Sequence, residues 1–183
     1  LILSNHDRKC LTCARSQNCE LQKLCLDMGV ESGDRFDGAK TEHTIDLSSP
    51  SIIRDNDKCI VCRRCVGACA KVQKIGVIGA VKRGFRTSIE SPWDKGLGEM
   101  ACINCGQCIT ACPVGALTER DETKPVWDAL ADSTKHVVVQ PAPAVRAALG
   151  EEFGLPIGTN VEGKMVAALR RLGFDKVFDT DAA

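Results

Sequence analysis

Twelve cysteines stand in this 183-residue chain, and all of them lie between Cys10 and Cys112. Two runs share one spacing, C-x2-C-x2-C-x3-C: Cys59, Cys62, Cys65 and Cys69, then Cys102, Cys105, Cys108 and Cys112. A third group, His6, Cys10, Cys13 and Cys19, offers one imidazole and three sulfurs. Cysteines three apart are badly placed to bridge each other and well placed to wrap a metal centre, so the even count does not make a disulfide framework. Three sulfurs in one tight loop reach three corners of a cuboidal four-iron cluster, whose fourth corner takes a sulfur from elsewhere. Structural zinc usually pairs two C-x2-C knuckles across a longer gap, unlike the runs at 59 and 102. At the first group zinc is a fairer competitor, because three cysteines and one histidine suit a tetrahedral ion. There His6 could also be a surface residue, with Cys25 as the fourth ligand.

Cys25 belongs to a stretch, 20–28, in which Leu21, Leu24, Cys25 and Met28 recur at i, i+3, i+4 and i+7. That is one helix face, so Cys25 is expected to pack in the core rather than to bind metal. His43 and His136 have no cysteine companions and read as solvated or capping residues. Arg63 and Arg64 sit inside the first C-x2-C-x2-C-x3-C loop, where positive charge favours a more negative, reduced centre; two solvated arginines are the plain alternative.

These residues need elements to hold them. Residues 1–30 form a cysteine-rich opening that runs into a helix, and 31–56 are polar and turn-rich, expected as a linker over the surface. Residues 57–120 contain the two like runs, with 75–81 and 85–89 flanking Lys82-Arg83-Gly84 as a hairpin. From residue 135 the pattern becomes a buried strand at 137–140, then a helix with Val161, Met165, Ala168, Leu169 and Leu172 on one face, then a strand at 176–178. That is an α/β crossover opening a larger domain. Aromatic residues make up 4% of the chain with no tyrosine, so the core is expected to rely on bound metal. Lys+Arg and Asp+Glu balance at 24 each, which gives no hint of nucleic acid or membrane. Three bound clusters would make the loaded protein acidic by roughly five charges. No apolar stretch is long enough to span a membrane. Leu1-Ile2-Leu3-Ser4-Asn5 reads like the end of an element already under way, so a longer polypeptide is expected.

The two C-x2-C-x2-C-x3-C runs, the second closed by Cys112-Pro113, resemble those of bacterial two-cluster ferredoxins, with Ala70 departing from the proline after Cys69. The resemblance implies that the fourth cysteine of each run ligates the other cluster. One cluster would take Cys59, Cys62, Cys65 and Cys112, the other Cys102, Cys105, Cys108 and Cys69. A histidine-and-three-cysteine run ahead of such a domain resembles the iron–sulfur end of the [FeFe]-hydrogenases, of the large iron–sulfur subunit of complex I, and of NAD-linked formate dehydrogenases. In these the run typically follows a [2Fe–2S] domain, which this chain does not contain. In that company His6 is a cluster ligand beside Cys10, Cys13 and Cys19, which favours iron over zinc. Residues 136–154 and 163–179 resemble the start of the [FeFe]-hydrogenase catalytic domain.

The resemblance implies an α+β chain with three [4Fe–4S] clusters: a histidine/three-cysteine module, a two-[4Fe–4S] ferredoxin-like domain, and the beginning of an α/β catalytic domain. It implies electron transfer to or from a hydrogenase active site that this chain lacks, since no cysteine follows Cys112. Expected partners are flavin or NAD(P) and iron–sulfur subunits of a cytoplasmic redox complex, docking near His6, or a ferredoxin. The rivals are a fragment of complex I or of formate dehydrogenase, and a cluster-stabilised scaffold.

Overall fold

The computed structural model describes residues 2–30 and 40–180. They fall into two compact units, Leu1–Arg120 and Asp121–Ala183.

The first unit opens with a short helix α1 (Ile2–Asn5), a tight turn Cys10–Thr12 and a helix α2 (Glu20–Asp27). Glu20 in the first turn of α2 complements the positive end of the helix dipole, and the left-handed Gly29 follows its end. Strand β1 (Ile52–Arg54) follows, then a turn at Asn56–Lys58 that is capped by Asp55, whose carboxylate accepts from the Asp57 N–H. Helix α3 (Arg64–Gly67) widens into a π turn, Ala68–Val72. Strands β2 (Gly79–Val81) and β3 (Ser88–Glu90) form the antiparallel hairpin expected around residues 82–84. Helix α4 (Gln107–Ala111) and strand β4 (Leu117–Glu119) complete the unit, with β4 antiparallel to β1 and Ile53 opposite Thr118.

The internal repeat is visible in the backbone. Each cysteine run is a loop that turns into a short helix, α3 or α4, and the same two loop positions are left-handed in both. Val61 and Asn104 have φ of 54°, while Arg63 and Gly106 have 63° and 72°. A β-branched residue such as Val61 enters this region only at a steric cost, so something must hold it there. Part of the answer is that the turn aims the Val61 N–H at the Cys59 sulfur, 3.4 Å away.

The core is aliphatic. Ile52, Val77, Ile78, Ile89, Leu97, Val114, Ala116 and Leu117 pack with Leu21 and with Cys65 and Cys112 themselves. The polar stretch expected as a surface linker is one only in part. Residues 31–39 lie outside the described residues, but from Asp46 onward the chain is built into the unit. Asp46 bridges to Arg54 and pairs with its guanidinium at 2.9 Å, and Ser49, Ile52, Arg54 and Asp55 are buried. Their buried polar groups are tolerated because they are partnered. The helical face at 20–28 is also narrower than its spacing suggests: Leu21 is buried, whereas Leu24 and Met28 are exposed.

In the second unit, helix α5 (Thr123–Ala131) precedes strand β5 (Val138–Val139), helices α6 (Pro143–Glu152) and α7 (Glu162–Leu172), and strand β6 (Lys176–Val177). β5 and β6 are parallel neighbours, so α6 and α7 form the crossover. Proline in the first turn of α6 and left-handed Gly173 after α7 mark where those helices start and stop. Val161 and Met165 are buried, but Ala168 and Leu172 are exposed, and so is Val138 of the strand expected to be buried. With only two strands, β5 has few neighbours among the described residues to cover it.

Candidate iron–sulfur sites

Three chambers in the first unit collect the cysteines. Cys59, Cys62, Cys65 and Cys112 line one, together with Arg63, Ile60, Ile78, Ile89 and Val114. Cys69, Cys102, Cys105 and Cys108 line another, walled by Ile52, Ile75, Val77, Leu97 and Leu117. Both are tight, about 20 and 30 Å³. The last cysteine of each run therefore crosses to the chamber of the other run. The geometry follows from the repeat: α3 and the π turn that continues it carry Cys69 away from its own loop, α4 ends at Cys112 and does the same for it, and the two helices pack together. Each foursome has one exposed cysteine, Cys62 or Cys105, at equivalent places in the repeat.

The electrostatics set Cys112 with the first run and keep Cys102, Cys105 and Cys108 together. Burial pushes the Cys65 thiol up to about 12, and nearby Cys59, Cys112 and Cys62 push further in the same direction. Burial likewise raises Cys108 to about 11, helped by Cys102 and Cys105. Cys59 is raised by burial, with Cys112 and Cys62 adding to it. Four thiolates this close, away from water, repel one another unless metal cations sit between them. Metal must therefore displace protons on binding. Four sulfurs around an aliphatic chamber are a donor set that fits a four-iron cluster at each foursome. The thiols are spread over the chamber walls, and among the described residues no three His, Cys, Asp or Glu side chains converge as they would on a single ion.

The third chamber is wide, about 670 Å³, and is lined by His6, Cys10, Cys13 and Cys19. His6 Nδ1 is buried with no hydrogen-bond partner, while the Lys58 backbone accepts a hydrogen bond from the ring. Burial lowers the His6 pKa, which favours the neutral imidazole. A metal-bound histidine has this pattern, with one nitrogen fixed by a carbonyl and the other kept for the metal. Cys25 lines the same chamber while also packing against the core, so its helical position does not remove it from the metal side.

Gly115 escaped the sequence reading. It also lines the wide chamber, and a Cβ there would collide with Cys13 Sγ. The opening segment is pinned to this part of the chain by three bonds. The Glu20 N–H donates to the Pro113 carbonyl at 3.1 Å, Arg15 donates to the Ile109 carbonyl at 3.3 Å, and Arg64 pairs with Glu20 at 2.7 Å. No local pattern marks Gly115, because its partner lies about a hundred residues earlier. His136 is exposed, as expected, and lies 3.7 Å from Asp175. His43 is instead half-buried: its backbone N–H donates to Asp57 and its ring is 4.0 Å from Glu90. Among the described residues no helix is long and apolar enough to cross a membrane.

Comparison with known proteins adds three family matches. Residues 1–33 match the NADH-ubiquinone oxidoreductase-G iron-sulfur binding region, and 49–118 the ferredoxin-like domain of NADH-quinone oxidoreductase subunit 3. Residues 135–183 match the C-terminal domain of the iron only hydrogenase large subunit. The whole chain is 51% identical to an NADP-reducing hydrogenase subunit of Solidesulfovibrio fructosivorans, and covers 31% of it. Over 97% of its length it is 41% identical to iron hydrogenase 1 of Clostridium pasteurianum, again covering 31% of that protein. The chain thus spans about a third of the length of these relatives. Among solved structures, an NAD+-reducing [NiFe]-hydrogenase in the H2-reduced state matches with a TM-score of 0.59 and 28% identity, over 65% of this chain and 50% of that one.

Proposed function

The chain belongs to the iron-only hydrogenase large-subunit family, and on that premise we propose that it is the electron relay of such a subunit, holding three [4Fe–4S] clusters. The observation that carries this reading is the crossing of Cys69 and Cys112, which gives each chamber four sulfurs and places the two chambers side by side in one core. When bound, four-iron clusters take up and release single electrons. The chain's own residues do the rest. The cysteines of the two foursomes hold one centre each, and His6, Cys10, Cys13 and Cys19 hold the third. The aliphatic walls keep water out, so that little solvent must rearrange when charge arrives.

The Cys13–Gly115 contact supports an order for the relay. It sets the His6 group against the segment leading from Cys112, and hence beside the centre held by Cys59, Cys62, Cys65 and Cys112. The centre held by Cys69, Cys102, Cys105 and Cys108 then lies at the far end. In the whole protein the relay would serve hydrogen conversion at a site whose cysteines this chain does not carry. Flavin or NAD(P) subunits, or a ferredoxin, would exchange electrons at the His6 end in the cytoplasm. The match of 135–183 favours this reading over a complex I or formate dehydrogenase fragment.

Anaerobic iron and sulfide analysis with redox titration tests the proposal. About twelve irons per chain are expected, all reducible at low potential. Cys13→Ser should remove the His6 centre and Cys112→Ser the centre at 59–65. A wild-type chain with eight irons would rule out the third cluster, and clusters that resist reduction would leave only a scaffold.

A further inference from the structure

The chain's charge is balanced overall but not along its length. Residues 59–89 contain seven lysines and arginines and no aspartate or glutamate, in a chain whose net charge is zero. The seven are Arg63, Arg64, Lys71, Lys74, Lys82, Arg83 and Arg86, and all are exposed. Arg64 pairs with Glu20 and Lys82 with Glu90; the other five have no ion pair among the described residues. This one segment also wraps a candidate redox centre. It supplies Cys59, Cys62, Cys65, Arg63, Ile78 and Ile89 to the first chamber, and Cys62 reaches the surface. The β2–β3 hairpin rises directly from that wall, since Ile78 precedes β2 and Ile89 lies in β3. Its tip holds Lys82, Arg83 and Arg86 around Phe85, a ring left 60% exposed.

We propose that this basic segment, with Phe85 as its apolar anchor, docks an acidic iron–sulfur carrier protein, giving the relay a second point of exchange at the Cys62 face. The inference rests on the relay reading above. Cationic side chains around an aromatic are typical of interface anchors. The partner's chemistry follows from charge: thiolate-bound clusters leave a small carrier strongly negative, and that charge would be drawn to the segment over distances set by ionic strength. In such an exchange one electron would leave the reduced carrier, which is oxidised, for the four-iron centre that Cys59, Cys62, Cys65 and Cys112 would hold, which is reduced; no bond forms or breaks. Nucleic acid would also answer to seven cations, but it has no use for an exposed cluster cysteine beside them.

The test uses the full-length, cluster-loaded protein, with a reduced two-[4Fe–4S] bacterial ferredoxin as probe. Two independent variants are compared with wild type, Arg83→Glu/Arg86→Glu at the hairpin tip and Lys71→Glu/Lys74→Glu after α3. Kd and the stopped-flow reduction rate are read from low to high salt. Wild type should bind and react more weakly as salt rises, and each variant should lose about tenfold or more in both quantities at low salt. Iron content and reduction by dithionite should be unchanged. Should either iron-replete variant keep wild-type Kd, rate and salt dependence, the docking surface is refuted while the relay stands. A variant that loses binding to a 20-nucleotide single strand but not to ferredoxin refutes it too. Failure of the relay reading would appear earlier, as missing or irreducible iron in the wild type.

Discussion

At His6 the chemistry comes down to one nitrogen. Nδ1 is buried without a partner, a condition that ordinary core histidines avoid, and the Lys58 backbone holds the ring from its other side. A neutral imidazole in place of a thiolate makes the proposed centre less negative by one charge. His6→Cys should therefore keep the centre and lower its midpoint potential, as potentiometry followed by EPR would read. An unmoved signal would pass the fourth ligand to Cys25, which shares the chamber. His6 could be singled out as a candidate from the sequence because its cysteine companions follow it closely. The place of Cys25 was not: its i+4 spacing from Leu21 is that of a core residue, and the chamber wall here is also the edge of the core.

Among the elements, the two cysteine loops were the most legible, since one spacing recurs and the same left-handed turns recur with it. The contact between the opening segment and the Cys112 segment was hidden, because it depends on a missing side chain. Gly115→Ala would drive a methyl group into Cys13 Sγ. It should cost about 1–3 kcal/mol of stability. It should also push the His6 centre away from its neighbour, with weaker spin–spin broadening in the EPR of the reduced protein and unchanged iron. Equal broadening in wild type and variant would separate Gly115 from the relay path. Helix α5 and the short, half-open β5 were also poorly legible. Val137, Val138 and Val139 read as a buried strand by composition, but burial depends on neighbours that a local pattern does not contain.

For the whole molecule, the division at Arg120 places every cysteine in the first unit. A chain ending at Arg120 is accordingly expected to keep all of its iron and the same set of EPR signals; losing a signal would mean that residues 121–183 support a centre. The sequence alone determined which donors are candidates, because metal ligation demands particular atoms at particular spacings, and it determined the absence of any cysteine beyond Cys112 in this chain. It also held the run of seven cations from 59 to 89, whose meaning emerged only once that segment proved to wall a chamber. The sharing of Cys69 and Cys112 between chambers could be expected from resemblance, but packing of α3 on α4 brought it about. Tertiary structure alone decided that Asp46 to Asp55 join the core rather than bridge it, and that Gly115 meets Cys13. Both are contacts between residues far apart in the chain, set by the shape of an aliphatic core rather than by any residue's own preference.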